Sequence, residues 1–263
     1  MISLRTISVI MAKALVTGAS GGIGKELSII LARNGYDLVI VARRQKELEE
    51  LRDLISSEYE RTVEIIACDL TDISSVGMMP TDVDILVNNA GFGDLGPFVD
   101  CDPDKQIRMI DLNVRTLTAI TRRIVPEMVS RGKGRILNVA SVASFEPGPL
   151  MSVYYATKAY VLSFSEALHE ELRGSGVTVT ALCPGPTNTG FAKAANADGT
   201  NLFKEAAGAD VVKVAEYGYR CMMKGKAVAV CGILFKLSIF SVRLLPRSVV
   251  RRVVHWLQSR TER

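Results

Sequence analysis

The sequence predicts an α/β protein built on a doubly wound parallel sheet in a single main domain. Short apolar segments alternate with longer amphipathic segments along most of the chain, and several of the apolar segments are continuously apolar. Strands that are apolar on both sides belong to a parallel sheet covered by helices on both faces. A glycine-rich turn directly after the first apolar segment is typical of such sheets where they bind a phosphate.

The predicted elements follow one another in βαβ order. Seven strands are predicted at Ala14 to Thr17, Asp37 to Val41, Val63 to Ala67, Ile85 to Val87, Arg135 to Val139, Thr178 to Leu182 and Ala227 to Val230. Amphipathic periodicity predicts helices at about Ile23 to Asn34, Arg44 to Tyr59, Pro103 to Ser130, Tyr154 to Arg173 and Asp210 to Lys224. Parallel strands joined through helices in this way need right-handed crossovers.

Composition excludes several classes of protein. With 48% hydrophobic and 23% charged residues in 263, the chain has the composition of a globular protein and not of a disordered or collagen-like one. The five cysteines show no CxxC spacing, which predicts neither a disulfide framework nor a metal cage and indicates a reducing, cytoplasmic compartment. Only two histidines are present, without an HExxH pattern, so no metal site is expected.

The positive charge is concentrated at the C-terminus. Residues 233–263 hold seven Lys and Arg against one Glu, a net +6, which leaves −2 for the rest of a chain whose total is +4. A basic tail on a slightly acidic body argues against nucleic-acid binding over the whole surface.

The glycine-rich turn has the sequence TGASGGIG. Its glycines let the backbone turn sharply and approach a pyrophosphate, which would lie against free N–H groups at the start of a helix. We therefore expect cofactor contacts from Gly18, Ala19, Ser20, Gly21, Gly22, Ile23 and Gly24. The alternative is a turn that serves only helix–strand packing.

The end of the second strand indicates which dinucleotide binds. In a doubly wound sheet this position meets the adenosine ribose, where an acidic residue selects NAD and an arginine accommodates the 2′-phosphate of NADP. The residue there is Arg43, preceded by Ala42, which favours NADP(H). The alternative is that Arg43 and Arg44 are solvated residues of the following helix.

A tyrosine and a lysine lie four residues apart in YYATK. Tyr154 and Lys158 share one face of a helix, where an ammonium group could stabilise a phenolate and lower the pKa of the tyrosine. The neighbouring Tyr155 has Ala159 at the equivalent spacing and is a weaker candidate. Taken alone, this spacing is common on protein surfaces.

Together these motifs resemble the short-chain dehydrogenase/reductase family in its single-domain form, from Lys13 to about Gly232. The resemblance includes TGASGGIG, the turn Cys68-Asp69-Leu70, the run Asn88-Asn89-Ala90-Gly91, YYATK and the segment from Pro184 to Thr189. It implies a Rossmann fold with a catalytic tetrad of Asn113, Ser141, Tyr154 and Lys158.

The resemblance also implies where the cofactor lies. Asp69 and Leu70 would border its adenine, Asn89 would lie beside it, Tyr154 and Lys158 would contact it, and Thr187 and Thr189 would line the nicotinamide end. By the same resemblance Asn113 would anchor a water that resupplies the proton. For Asn88 and Gly91 a structural role is expected.

The sequence divides into three parts: 1–12, an N-terminal arm or a start at Met11; 13–232, the dinucleotide-binding and catalytic domain; and 233–263, a C-terminal extension. In the extension, Pro246 is expected as the first residue of a helix with Val249, Val250, Val253, Val254 and Leu257 on one face and cations on another. Three roles stay open: packing on the body or a second subunit, dipping into an anionic lipid monolayer, and docking of an acidic partner.

These patterns predict an NADPH-dependent oxidoreductase that reduces a ketone, an aldehyde or a 3-oxoacyl thioester to an alcohol. Residues 190–209 resemble a substrate loop, and Phe145, Met151 and the segment Pro147 to Leu150 indicate an apolar carbonyl or alcohol substrate. A homo-oligomer in the cytoplasm is expected, with possible peripheral contact with a membrane through 233–263. The alternative function is a non-catalytic NADPH-binding regulator or scaffold.

Overall fold

The computed structural model describes residues 12–197, 199–202 and 208–259. The predicted N-terminal arm, apart from Ala12, lies outside the described residues, as do Phe203 and the last charges of the C-terminal extension.

Seven parallel strands form one sheet, as predicted, and every end agrees with its prediction within one residue. The strands are β1 (Lys13–Thr17), β2 (Asp37–Ala42), β3 (Val63–Ala67), β4 (Ile85–Asn88), β5 (Gly134–Val139), β6 (Val177–Cys183) and β7 (Val228–Val230). Their order is β3-β2-β1-β4-β5-β6-β7, with Leu15 of β1 paired to Val39 on one side and to Leu86 on the other. The doubly wound α/β class is confirmed.

Helices cover both faces of the sheet. They are α1 (Gly22–Arg33), α2 (Gln45–Tyr59), α3 (Pro103–Ile110), α4 (Leu117–Ser130), α5 (Ser152–Glu171), α6 (Phe191–Ala194), α7 (Val211–Met223), α8 (Ile233–Val242) and α9 (Arg247–Gln258). The continuous apolar strands explain this arrangement because successive residues point to opposite faces. Ala14 and Val16 pack with α1 and α7, whereas Leu15 packs with α4 on the other face.

One predicted helix is interrupted. The expected helix from Pro103 to Ser130 is α3 and α4 joined by a π-helical segment at Asp111–Thr116. Apolar periodicity alone does not show such a segment, because a π turn changes the hydrogen-bond register and leaves the chain helical on both sides.

The C-terminal extension folds into α8 and α9, and the prediction for it needs two corrections. Pro246 precedes α9 as its N-cap and is not the first helical residue. The expected single valine face is split: Val250 and Val254 are buried, whereas Val249 and Val253 are exposed. A helix that lies on a curved protein body buries only the stripe that faces it, and this stripe is narrower than the apolar face. The division of the chain into three parts stays a prediction.

The sheet order places one crevice at its carboxyl end. The chain leaves β1 toward β2 and β3 and then returns to the other side of β1 with β4. Ligands of doubly wound sheets bind where the strand order reverses in this way.

Candidate active site

The glycine-rich turn lies at this reversal and is closely packed by its neighbours. Gly18 has φ +68°, and a Cβ there would lie 2.7 Å from Asn89 Nδ2. A Cβ at Gly24 would lie 2.4 Å from the same atom and from the Gly18 carbonyl oxygen. No larger residue fits at either position, and helix α1 begins after the turn with no acidic residue in its first turn. A side-chain-free cradle at a helix N-terminus suits a phosphate.

Asn89 supports the turn from beneath. Its side-chain amide donates to the carbonyl oxygens of Thr17 and Gly18 at 3.0 and 3.1 Å, and its backbone N–H donates to Thr17 Oγ1. Asn89 is therefore beside the predicted cofactor position, but its side-chain amide holds the turn.

The two arginines after β2 differ in their contacts. Arg44 donates to the Ser20 carbonyl oxygen and to Ser20 Oγ, both at 3.0 Å, and pairs with Glu47. Arg43 is exposed, and the structure gives it no hydrogen bond or ion pair among the described residues. Arg44 thus fixes the turn, which the sequence did not indicate, and Arg43 remains available for a ligand.

The turn after β3 forms one border of the crevice. Asp69 Oδ1 accepts hydrogen bonds from the backbone N–H and the hydroxyl of Thr71, each at 2.9 Å, which fixes the turn. The Thr116 hydroxyl donates to the carbonyl oxygen of the buried Leu70. Both residues lie where the resemblance implies an adenine.

The four predicted catalytic residues, Asn113, Ser141, Tyr154 and Lys158, form a group that we call the catalytic corner. Each is at most 9% exposed. The Ser141 hydroxyl lies close enough to Tyr154 to oppose the rise in its pKa, and Lys158 Nζ lies 5.9 Å from the centre of the Tyr154 ring. A Cβ at Gly91 would lie 3.0 Å from Asn113 Oδ1 and 3.5 Å from Lys158 Nζ, so glycine is needed where β4 leads into the corner.

Burial controls the protonation of the corner. It raises the pKa of Tyr154 to about 12, which the nearby Ser141 hydroxyl only partly opposes, and it lowers the pKa of Lys158 to about 8. Lys158 is not among the causes of the Tyr154 shift, and its expected lowering of this pKa stays a prediction. Lys158 Nζ instead donates to the Val139 carbonyl oxygen at 2.7 Å. Tyr154 therefore carries its proton at neutral pH and can act as a proton donor.

Asn113 lies in the π-helical segment and joins two elements. Its amide donates to the Phe92 carbonyl oxygen and to Thr157 Oγ1, each at 3.0 Å, and its Oδ1 accepts from the Phe92 N–H at 3.2 Å. Both amide hydrogens are used within the protein, so the side chain positions the segment after β4 against α5. The expectation that Asn113 anchors a water has no support from these contacts. π-helical segments are frequent at functional sites.

The contacts of Asn88 agree with its expected structural role, and those of Tyr155 agree with its being the weaker candidate. Asn88 donates to Thr121 Oγ1 and to Asn138 Oδ1 at 2.9 Å, which ties β4 to β5 and α4. Tyr155 is used structurally: Gln258 Nε2 donates to its hydroxyl oxygen at 2.6 Å, and its ring fills the space beside Gly148.

The segment after β6 closes over the corner. Phe191 packs on Tyr154 with ring centres 5.2 Å apart. A Cβ at Gly22 would lie 3.2 Å from Thr189 Cγ2, and Thr187 donates to the Gly185 carbonyl oxygen at 2.9 Å. Thr189 thus lies beside the turn, and the contact of either threonine with a nicotinamide stays a prediction.

Gly93 and Met151 complete the cleft, and the sequence did not single out Gly93. A Cβ at Gly93 would lie 2.9 Å from Phe191, 3.0 Å from Met151 and 3.2 Å from Tyr154. These apolar atoms surround the side of Tyr154 that a substrate would approach. A glycine outside a turn motif gives no sequence signal of this kind.

Comparison with known proteins agrees with this site. A family model described as short chain dehydrogenase matches residues 12–200. The chain belongs to the short-chain dehydrogenase family. It is 36% identical over 189 residues to the very-long-chain 3-oxoacyl-CoA reductase of Rattus norvegicus, a match that covers 68% of this chain and 61% of that protein.

Solved structures show the same family relationship. A short-chain dehydrogenase from Sphingobium yanoikuyae in complex with NADPH is 31% identical, with a TM-score of 0.80, and covers 89% of this chain and 94% of that one. A bulky-bulky ketone specific alcohol dehydrogenase from Comamonas testosteroni is 29% identical, with a TM-score of 0.76, and covers 89% of this chain and 92% of that one. The predicted family and its Rossmann fold are confirmed.

Proposed function

We propose that this protein is an NADPH-dependent reductase that converts a 3-oxoacyl thioester with an apolar acyl chain to the 3-hydroxy product. The observation that carries the proposal is the catalytic corner, in which a protonated, buried Tyr154 lies beside Ser141 at the carboxyl end of the sheet. The match to proteins named very-long-chain 3-oxoacyl-CoA reductases supports the substrate class.

The residues at the crevice fit a dinucleotide with a 2′-phosphate. The glycine cradle would hold the pyrophosphate, and the unpaired Arg43 would meet the 2′-phosphate. The NADPH complex of the Sphingobium yanoikuyae protein supports this choice. NADPH, when bound, supplies the hydride that reduces the carbonyl carbon.

The corner supplies a proton and hydrogen bonds to the reacting oxygen. Tyr154 is protonated at neutral pH and donates its proton to the carbonyl oxygen as negative charge develops there. Ser141 Oγ accepts from the Ala143 N–H at 3.1 Å, so its own O–H can turn from Tyr154 to donate to the same oxygen. Lys158, mostly charged at neutral pH because its pKa is about 8, stabilises the phenolate that remains.

The substitution Tyr154→Phe tests this assignment. It removes the proton donor and keeps the ring that packs on Phe191, so we expect NADPH-dependent reduction of 3-oxoacyl thioesters to fall about 100- to 10,000-fold, with NADPH binding retained. Steady-state kinetics and NADPH titration measure the two effects. Tyr155→Phe is the matched control and should keep the chemistry.

A wild-type rate in Tyr154→Phe would contradict the proposed mechanism. The alternative, a non-catalytic NADPH-binding protein, predicts tight NADPH binding with no turnover on any carbonyl substrate. The complete catalytic corner argues against it.

We also propose that the protein is cytoplasmic and contacts the surface of an anionic membrane. Helix α8 packs through Phe235 near Gly185 and leaves an apolar outer face of Ile233, Leu234, Leu237, Phe240 and Leu244, each between 60 and 76% exposed. Monomeric proteins seldom expose so many large apolar side chains close together. Residues 233–259 contain no Asp or Glu, so cations flank this face, which suits anionic lipid. None of the helices in the described residues is long and apolar enough to cross a bilayer.

Substitution of two outer residues of α8 tests the membrane contact. In L237S/F240S we expect binding to phosphatidylcholine vesicles that contain phosphatidylglycerol to be lost, while binding of the wild type weakens as salt increases. The control in vesicle sedimentation is F98S/V99S, which replaces two exposed apolar residues outside the C-terminal extension. Equal sedimentation of all three proteins would contradict the proposal, and a lower solution mass in L237S/F240S would indicate that a second copy covers α8.

The expected homo-oligomer stays a prediction, and another surface supports it. An apolar cavity of about 360 Å³ lies between α3 and α5, lined by Ile110, Val114, Ser152, Val153, Ala156 and Thr157. Ile107 and Tyr160 on the same two helices are exposed. A second copy of the chain would cover this surface.

A further inference from the structure

Helix α9 presents three different faces. Val250, Val254 and Gln258 are spaced four residues apart and form its buried face. Val249, Val253 and Trp256 form an exposed apolar face. Ser248, Arg251, Arg252 and His255 form a third face, which lines a groove of about 450 Å³ together with Pro149. We call this space the cationic groove, and its volume lies in the range of small-molecule sites.

Among the residues that the structure describes, the cations of the groove have no counterion. Arg251 and Arg252 make no ion pair or hydrogen bond with any residue in the described ranges, and the extension from 233 to 259 contains no carboxylate side chain. By contrast, Arg44 and Arg173 each pair with a glutamate three residues away on the chain. Two guanidinium groups and an imidazole that line one groove form a site for a ligand with several negative charges, and guanidinium suits phosphate in particular.

The groove and the catalytic cleft share one wall. Pro149 faces the groove, whereas Met151, two residues further, contacts the space beside Gly93 and Tyr154 in the cleft. Leu150 between them has φ +67°, a conformation that is rare for a leucine and that lets this short segment present its two ends to two sites. Its carbonyl oxygen accepts from the Gly96 N–H at 2.9 Å, which fixes the segment to the loop after β4.

Helix α9 is also fixed to the neighbour of the catalytic tyrosine. Gln258 bonds to the Tyr155 hydroxyl, and the rings of Tyr155 and Tyr154 have centres 6.1 Å apart. At 1.5 Å per residue, Arg251 lies about 10 Å along the helix from Gln258. Gln258 Oε1 is buried and accepts no hydrogen bond from the described residues.

We propose that the cationic groove binds the phosphate groups of the coenzyme A part of the substrate. This inference rests on the proposed reduction of a 3-oxoacyl thioester. Coenzyme A carries a nucleotide with three phosphate groups on a long arm that contains two amide groups. With its phosphates on Arg251 and Arg252, the arm crosses the Pro149–Met151 wall and places the thioester at Tyr154, which makes α9 the part of the chain that selects the thioester carrier.

The test compares two thioesters that carry the same 3-oxoacyl group, one on coenzyme A and one on N-acetylcysteamine, which has no phosphate. In R251A/R252A we expect kcat/KM for the coenzyme A thioester to fall at least about 10-fold through KM, because the lost contacts are remote from the reacting atoms. The value for the N-acetylcysteamine thioester should stay within about twofold of the wild type. In R251K/R252K, which keeps the charges, part of the lost affinity should return.

The matched control is R243A/R247A, which removes two positive charges from the same extension outside the groove. This variant should leave kcat/KM unchanged for both thioesters. An equal loss for the two thioesters in R251A/R252A would overturn the proposal and show a structural role. An unchanged kcat/KM for the coenzyme A thioester in R251A/R252A would overturn the proposal as well. An equal loss of kcat/KM in R243A/R247A would also overturn it, because the effect would then come from overall charge.

Calorimetry with coenzyme A alone separates this inference from the proposed reaction. If coenzyme A binds to the wild type and not to R251A/R252A, the groove binds coenzyme A as proposed. If the wild type also reduces no thioester, the proposed reaction fails while the groove proposal stands. If wild type and R251A/R252A reduce the coenzyme A thioester equally well, the proposed reaction is supported and the proposal that the groove binds coenzyme A is overturned. Loss of binding to phosphatidylglycerol vesicles in R251A/R252A, with unchanged coenzyme A binding, would assign these arginines to lipid and overturn the proposal.

Discussion

The catalytic corner is buried and its polar atoms are bonded within the protein, whereas the rim of the cleft, which comprises Arg43 and the cationic groove, is exposed and has cations without counterions among the described residues. A buried polar group without a partner costs about 1 to 3 kcal/mol, so the fold itself must assemble the corner. A solvated arginine carries no such cost. The corner is therefore ready for chemistry as folded, and the rim holds the charged groups with which a ligand can still pair.

Among the variants that compare the rim with the corner, the largest change in binding is expected from Arg43 at the rim. Arg43→Ala should weaken NADPH binding about 10- to 100-fold and leave NADH binding nearly unchanged, because only NADPH has a phosphate for this guanidinium. Arg44→Ala should weaken both cofactors alike, since Arg44 holds Ser20 of the glycine turn. Fluorescence titration with the two cofactors measures both effects. Equal losses for NADPH and NADH in Arg43→Ala would mean that Arg43 is structural and would remove it from the rim.

An intermediate effect is expected where the rim is anchored to the body. Val254 of α9 is 2% exposed and its neighbour Val253 is 50% exposed. Val254→Ala should reduce the free energy of unfolding by about 1 to 3 kcal/mol, because it removes methyl groups from a packed site, and Val253→Ala should change it by less than about 0.5 kcal/mol. Urea denaturation measures the pair. Equal values for the two variants would show that α9 does not pack on the body through this face.

The most gradual effect is expected from the titration of the corner, because it is spread over a range of pH. The pKa of Lys158 is lowered from 10.5 to about 8 in the folded protein, so between these values the unfolded chain binds a proton that the folded protein has released. Burial of Lys158 therefore lowers the free energy of unfolding below pH 8. This loss is recovered as the pH increases from 8 to 10.5, by about 1 kcal/mol per pH unit. Urea denaturation of the wild type and of Lys158→Met across this range isolates the contribution as the difference between the two proteins. A difference that stays constant with pH would mean that Lys158 is not desolvated as described.

Much of the fold was predictable because its signals are local. The strands are continuous apolar runs bounded by turns, and their ends agree with the structure within one residue. The π-helical segment at Asp111–Thr116 was missed because it keeps the apolar pattern of a helix. The split of the α9 valines was missed because the width of a buried stripe depends on the surface beneath it, which the sequence of one helix does not contain.

The glycine turn, the Tyr154–Lys158 pair and the family could be predicted from the amino-acid sequence alone, because each motif consists of residues close together in the chain. The rest of the site depends on contacts between distant parts of the chain. Asn113 meets Thr157 across 44 residues, and Gln258 meets Tyr155 across 103, only because the order of strands brings their elements to one edge of the sheet. Tertiary structure also decided the direction in which the pKa of Tyr154 shifts, since burial depends on everything that surrounds the ring and outweighs the opposing effect of Ser141.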